Sequence, residues 1–310
     1  MARFALGVDI GGTKIAAAVV DYDGVVQSRH AVATPVAGGA AAVLAASLDL
    51  SRRVLDWAAA TGIDITAVGV GSAGEVDTGR GVVTYASDNL PGWAGLALAA
   101  EFAAATGLPA VVDNDVNALA LGESRFGAGR GFRDVLYVAV GTGIGGALVL
   151  DGRLRRGANW AAGEICHLVA AWDGDRACSC GRRGHLEAYA SGPAMAERYA
   201  ALAGLPEPPD LRVVAARAQA GDLVARRAIA EGAEILGITL GGLLNVLDPQ
   251  ALVIGGGVAE LDDLWWGPLE AALRANPLPG PAKIALRRAQ LGVDAVLIGA
   301  AWLALQEKAG

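Results

Sequence analysis

One order of elements is written into this chain twice. The stretch "FALGVDIGGTKIAAAVVDYDGVVQ" (4–27) is an apolar run ending in a Gly-Gly turn, a second β-branched run, and an Asp23-Gly24 hairpin. "VLYVAVGTGIGGALVLDGRL" (135–154) repeats it as a strand (135–140), a Gly-Thr turn (141–142), a strand (146–150) and an Asp151-Gly152 hairpin. Gly12-Thr13 precedes its Asp-Gly by eleven positions and Gly141-Thr142 by ten. The duplication predicts two similar lobes, each opening with a meander whose first turn faces something that tolerates only glycine.

The rest of the chain predicts alternating elements. Helices are expected near 38–61, 95–106, 193–203, 211–220, 223–247 and 293–307, and strands at 67–74, 110–115, 251–257 and 283–289, with a turn-rich segment at 75–93. Such alternation makes the class α/β, and 310 residues suit two packed units. No uninterrupted apolar run reaches the roughly 18 to 20 residues that a bilayer span needs, and the first apolar run stops at Asp9 without a cleavage site, so a cytoplasmic location is expected. The net charge of −7 offers no basic footprint for nucleic acid.

Two stretches match G-x-G-x-x-G: Gly69, Gly71, Gly74 and Gly141, Gly143, Gly146. A dinucleotide turn needs a helix next. Here "EVDTGRG" and "ALVLDG" follow, so the nicotinamide reading fails, and no P-loop motif occurs. What remains are turns that present backbone N–H groups to phosphate oxygens, at Gly11, Gly12, Thr13 and Lys14 and again at Gly141, Thr142 and Gly143. Ordinary tight hairpins are the competing account. Gly255, Gly256 and Gly257 follow a buried strand and would let a flat ring lie on the backbone, or would simply turn the chain into a helix.

All three cysteines (166, 178, 180) and two of three histidines lie in "GEICHLVAAWDGDRACSCGRRGHLE" (163–187). Such crowding suits a metal in a reducing compartment better than disulfides.

Together these motifs resemble the actin/hexokinase-type (ribonuclease-H-like) ATPases, and specifically the ROK family of bacterial sugar kinases and repressors, over essentially the whole chain. "DIGGTK" (9–14) resembles the first phosphate motif, "GTGIGG" (141–146) the second, and "VIGGGV" (253–258) the adenosine-side motif. "DNDVNALALGE" (113–123) resembles the catalytic segment, and "GEICHL" with "CSCGRRGHLEA" the signature and zinc loop. The resemblance implies a two-lobed fold with a central cleft: a smaller lobe over 1–115, with the closing helix (293–310) packed back on it, and a larger lobe over 116–292. It implies ATP-dependent phosphorylation of the 6-hydroxyl of glucose or a close relative, with Asp115 as general base, Asp9 positioning Mg²⁺, and Asn89, Asn114, Glu164, His167 and Glu187 as sugar ligands.

Read from its own position, Asp115 ends an apolar strand and opens a helix, where the dipole favours a carboxylate. A plain helix cap is the competing reading. The family's zinc loop has one His and three Cys; this chain offers His167, Cys178, Cys180 and His185, a closed Cys2His2 set, with Cys166 as a competing ligand or a small buried residue. The resemblance also implies a homodimer or homotetramer. Other hexoses and amino sugars (N-acetylmannosamine, mannose, fructose, kanosamine) stay open as substrates, as does a non-catalytic sugar sensor. A repressor would need an added helix-turn-helix, for which the first strand, starting within four residues of Met1, leaves no room.

Overall fold

The computed structural model describes residues 3–87 and 90–307. They form two compact units: Met1–Gly131, Arg153–Ala162 and Gln290–Gly310 in one, Phe132–Gly152 and Gly163–Ala289 in the other. The chain enters the first unit through β1 (Phe4–Ile10), β2 (Lys14–Asp21), β3 (Val26–Ala33), α1 (Gly39–Ala60), β4 (Ile65–Ser72), β5 (Glu75–Asp77), β6 (Val82–Tyr85), α2 (Leu98–Thr106), β7 (Ala110–Asn114) and α3 (Asp115–Phe126). It makes β8 (Val135–Val140) and β9 (Ile144–Leu150) in the second unit and returns to the first for β10 (Arg153–Arg155). The second unit is completed by α4 (Glu187–Ala190), α5 (Gly192–Ala203), α6 (Leu211–Gln219), α7 (Leu223–Leu247), β11 (Ala251–Gly255), α8 (Asp263–Ala275) and β12 (Ala285–Arg288). The last helix, α9 (Ala295–Glu307), belongs to the first unit.

The duplicated meander is visible in the sheets. In the first unit the order is β3-β2-β1-β4-β7, with β1 antiparallel to β2 and parallel to β4. In the second, β9-β8-β11-β12 repeats it: β8 is antiparallel to β9 and parallel to β11. Each sheet is apolar on both faces because helices cover it. Leu6, Val8 and Val70 pack with Val54 and Phe102 on one side of the first sheet, while Ala5, Ala16 and Ala67 meet Leu297 and Ala301 of α9 on the other.

α3 stays with the first unit, so residues 115 and 116 lie within one unit and the division follows Gly131. A buried carboxylate explains the attachment. Glu123 of α3 is fully buried and accepts from three backbone N–H groups, those of Ala128, Gln290 and Leu291, which ties the helix to the segment leading into α9.

In the second unit α7 buries Ala225, Ile229, Gly232, Leu236, Leu240 and Leu244, a three-and-four spacing that turns one stripe toward Met195, Trp265 and Leu269. Asp222 caps it, and it stops before Asp248-Pro249. By length and windowed composition α7 is apolar enough to cross a membrane, even though charged residues and glycines break every continuous run; its buried stripe makes it a core helix here.

Three local differences from the sequence expectations have simple causes. The turn-rich segment holds a small hairpin, β5 against β6. α2 starts at Leu98 rather than 95 because the preceding turns bury Trp93, whose Nε1 donates to Ser72 Oγ at 2.9 Å. β12 spans only Ala285–Arg288 because Pro281–Lys283 forms a short 3-10 turn.

Candidate active site

In the first unit, parallel pairing puts three strand ends in register. Asp9 lies beside Gly71, and Gly71 beside Asp113; one step on, Ile10, Ser72 and Asn114 align. Asp9 and the Asp113-Asn114-Asp115 run therefore share the carboxyl edge of one sheet, two strand spacings or about 10 Å apart. Such edges are where α/β sheets bind ligands.

The turn after β1 is closed by Gly11 N–H donating to the Lys14 carbonyl (3.1 Å) and pinned by Thr34 Oγ1 donating to the Gly11 carbonyl (2.7 Å). Gly12 and Thr13 are exposed at its tip, and Lys14 is half-buried at the start of β2. Asp9 is half-buried at the end of β1, and its carboxylate has no hydrogen-bond partner among the described residues. Burial pushes its pKa up to about 6, against the pull of Lys14 and Arg29. A carboxylate in that condition suits a cation.

Asn114, not Asp115, is the cap of α3. Its Oδ1 accepts from Val116 N–H (2.9 Å) and Asn117 N–H (3.1 Å), and its Nδ2 donates to the Gly74 carbonyl (3.0 Å). That leaves one Nδ2 hydrogen for another acceptor. Asp115 is the first helical residue, with Oδ1 accepting its neighbour's N–H at 2.8 Å. Since the cap is already supplied, the helix does not require a carboxylate at 115. Asp113 beneath them is 1% exposed and fully engaged. It accepts from Asn114 N–H, Asn117 Nδ2 and the Arg156 guanidinium. Arg156 is a residue that the sequence reading missed. Asn89 lies outside the described residues.

In the second unit, the phosphate-type turns come from the ends of adjacent parallel strands, β8 and β11. The first turn is closed by Gly141 N–H donating to the Gly143 carbonyl (2.8 Å), and Gly192 at the start of α5 donates to the Gly141 carbonyl (2.9 Å). Gly256, at φ +90°, sits so close to Val140 that a Cβ would lie 2.3 Å from its carbonyl oxygen. Only glycine permits the two turns to adjoin. Between them opens a cavity of about 700 Å³, whose lining includes Gly141, Thr142, Gly257, Val258, Pro209 and Leu211. Gly143 and Gly255 are half-buried and buried respectively, and Gly256 is exposed.

Glu164, His167, Glu187 and the Cys/His loop belong to the same unit. His167 Nδ1 faces Cys178 Sγ at 3.6 Å while its Nε2 lies 3.8 Å from Glu164 Oε2, so the ring spans the cysteines and the acid. Burial lowers its pKa, keeping the imidazole neutral. Cys180 Sγ lies 3.3 Å from His185 Nδ1. One donor atom from each of His167, Cys178, Cys180 and His185 falls within 4.8 Å of the others, and Glu164, Cys166 and His167 form a second group by the same measure. Two sulfurs and two ring nitrogens suit zinc. The Cys166 thiol instead donates to Glu164 Oε2 at 3.5 Å, and burial drives its pKa strongly upward, so it behaves as a neutral donor.

Glu187 joins the loop to the phosphate-type turn. Its Oε1 accepts from Ser179 Oγ, between the two cysteines, at 2.6 Å, and its Oε2 accepts from Ile144 N–H at 3.1 Å. A Cβ at Gly143 would meet that carboxylate at 2.6 Å, so a side chain there would push Glu187 off its present bonds.

The ROK family model matches residues 5–307. A glucokinase of Streptomyces coelicolor is 38% identical over 96% of both chains. An N-acetylmannosamine kinase of Citrobacter koseri is 34% identical over 98% of this chain and 99% of its own. Among solved structures, a ROK family glucokinase from Streptomyces griseus, in complex with glucose and AMPPNP, superimposes with a TM-score of 0.85 at 38% identity, covering 98% of this chain and 99% of that one.

Proposed function

This chain belongs to the ROK family, whose solved glucokinases share its actin/hexokinase-type fold, and on that footing we propose that it is an ATP-dependent hexose kinase acting on the 6-hydroxyl of glucose. The observation that carries this reading is the cavity framed by two glycine turns. At about 700 Å³ it has the size of a nucleotide pocket, with prolines and aliphatic side chains for a base and backbone N–H groups for phosphates. The similarity to glucokinases supports glucose as acceptor.

In this reading Asp115 accepts the proton from the sugar hydroxyl, and the remaining Nδ2 hydrogen of Asn114 binds a ring hydroxyl. Glu164 and Glu187 accept from further hydroxyls, and His167, its Nδ1 turned to the cysteines, donates to one from Nε2, so an acceptor lacking a hydroxyl forfeits one of these bonds. The turns at Gly11, Gly12, Thr13 and Lys14 and at Gly141, Thr142 and Gly143 hold the phosphates, and Gly255, Gly256 and Gly257 lie under the nucleoside. Mg²⁺, when bound, neutralises phosphate charge, and Asp9 is the residue that would position it. His167, Cys178, Cys180 and His185 would hold a structural zinc, with Cys166 outside the set. A phosphoryl-transfer transition state needs positioning more than a strong base, so an ordinary Asp at a helix start suffices.

Self-association as a homodimer or homotetramer is supported by Leu223, Ile238 and Val246, which α7 leaves exposed, and light scattering tests it. The second substrate reading is N-acetylmannosamine, favoured by the 34% identical kinase for that sugar. The deciding experiment measures ADP release from Mg·ATP with glucose, mannose, fructose, N-acetylmannosamine and kanosamine, with Asp115→Asn as control. A rate with one hexose that the variant loses upholds the reading. Silence on every sugar, with sugar binding intact, leaves a sensor.

A further inference from the structure

Four described residues other than glycine adopt a left-handed backbone, and three are Asp, whose short polar side chain tolerates it; the fourth is Trp160, at φ +65°. A bulky residue stays in that region only where its surroundings impose it, and such strain gathers at ligand sites.

The loop that holds Trp160 is built from two anchors. At one end the Arg156 guanidinium grips Asp113 (Nε at 2.8 Å, Nη2 at 2.6 Å), the residue directly before Asn114 and Asp115. At the other, Ala162 N–H donates to the Arg156 carbonyl at 3.1 Å, closing the loop on itself. Within it the indole of Trp160 is half-buried and makes no hydrogen bond or ring contact with a described residue. Trp93, by contrast, is wholly buried with its Nε1 satisfied by Ser72.

We propose that Trp160 is a sugar-contacting, specificity-determining residue of the first unit, an inference that rests on the hexose-kinase reading. A pyranose presents hydroxyls along its rim and C–H groups on its faces. Asn114 and Asp115 answer the rim; an indole answers a face, burying apolar area with little loss of side-chain freedom. Changing the configuration or substituent at one ring carbon changes what that face offers, so the ring discriminates between hexoses.

Trp160→Gly tests this in the full chain, because glycine relieves the backbone and deletes the indole together. Melting temperature is read by calorimetry, hexose binding by titration without nucleotide, and KM and kcat by ADP release, for glucose, mannose and N-acetylmannosamine. The expected result is a melting temperature equal to or above that of the parent and a hexose Kd and KM raised about tenfold, which corresponds to the loss of roughly 55 Å² of stacked apolar area. ATP KM stays within about twofold, and preference among the three sugars narrows. Trp160→Phe should fall between. Unchanged hexose Kd and preference in a variant at least as stable as the parent overturns the inference alone. So does a fall in melting temperature with hexose and ATP constants rising together, since that marks a purely structural residue. A parent chain that binds these hexoses without turnover overturns the kinase reading and leaves the binding comparison to judge Trp160; one that binds none overturns both.

Discussion

Arg156 closes two charge-assisted hydrogen bonds on one oxygen of Asp113, at 2.8 and 2.6 Å, across 43 positions of sequence. The other Asp113 oxygen accepts from Asn114 N–H and Asn117 Nδ2, so the carboxylate beneath the proposed base is paired on every side. Removing only the cation strands a buried charge. Arg156→Leu is expected to lower unfolding free energy by about 3 kcal/mol, and the double variant Arg156→Leu/Asp113→Asn to recover much of it. Denaturant unfolding of the four proteins in the cycle checks this; equal losses in single and double variants would remove the charge explanation.

Asn114 and Asp115 should separate cleanly. Asn114→Ala removes the cap of α3 and the bond to Gly74, so it is expected to cost about 1 to 2 kcal/mol of stability as well as activity. Asp115→Asn leaves the cap in place and should keep the stability within about 0.5 kcal/mol while turnover falls by about 10²- to 10⁴-fold with glucose still bound. Thermal melts beside steady-state kinetics distinguish the two, and a stable Asp115→Asn protein with near-parental turnover would displace Asp115 as base.

The Ser179–Glu187–Ile144 chain predicts that the Cys/His loop serves both substrates. Ser179 is held between Cys178 and Cys180, and Glu187 reaches from it to the turn beside the cavity. Chelation, or Cys178→Ser, is therefore expected to release zinc, lower the melting temperature and raise the KM for hexose and ATP together. Ser179→Ala should retain the metal and show the kinetic change in weaker form. Elemental analysis of fresh protein comes first: absence of zinc ends the argument.

What the sequence made legible follows from what is local. The doubled strand-turn-strand pattern is carried by neighbouring residues, and it foretold two sheets of matching order. The glycine turns and the Cys/His cluster were legible for the same reason, because their spacing is their chemistry. Arg156 carried no such signal. It is an arginine in an ordinary loop until the fold brings it to Asp113, and nothing near position 156 announces that partner. Trp160 was silent too, since a left-handed backbone at tryptophan runs against local preference and is imposed by the anchored loop. The competing account of Asp115 as a helix cap fails for a local reason: Asn114, one residue earlier, reaches the helix N–H groups first.

Asp9 gives the chain a pH signature. Burial raises its folded pKa from 3.8 to about 6, so the folded state favours the protonated acid. The stability this group contributes is complete below its unfolded value near 3.8 and is lost as pH rises through about 6. Between pH 4 and 6.5 the ligand-free chain should therefore lose stability from this residue, and Asp9→Asn should flatten that part of the profile. Mg·ATP reverses the preference, because a cation beside Asp9 favours the carboxylate. Binding at pH 5.5 should release about three-quarters of a proton from this group, seen by calorimetry in buffers of differing ionisation heat, and that release should vanish in Asp9→Asn. Equal proton release by parent and variant would mean that Asp9 does not face the cation.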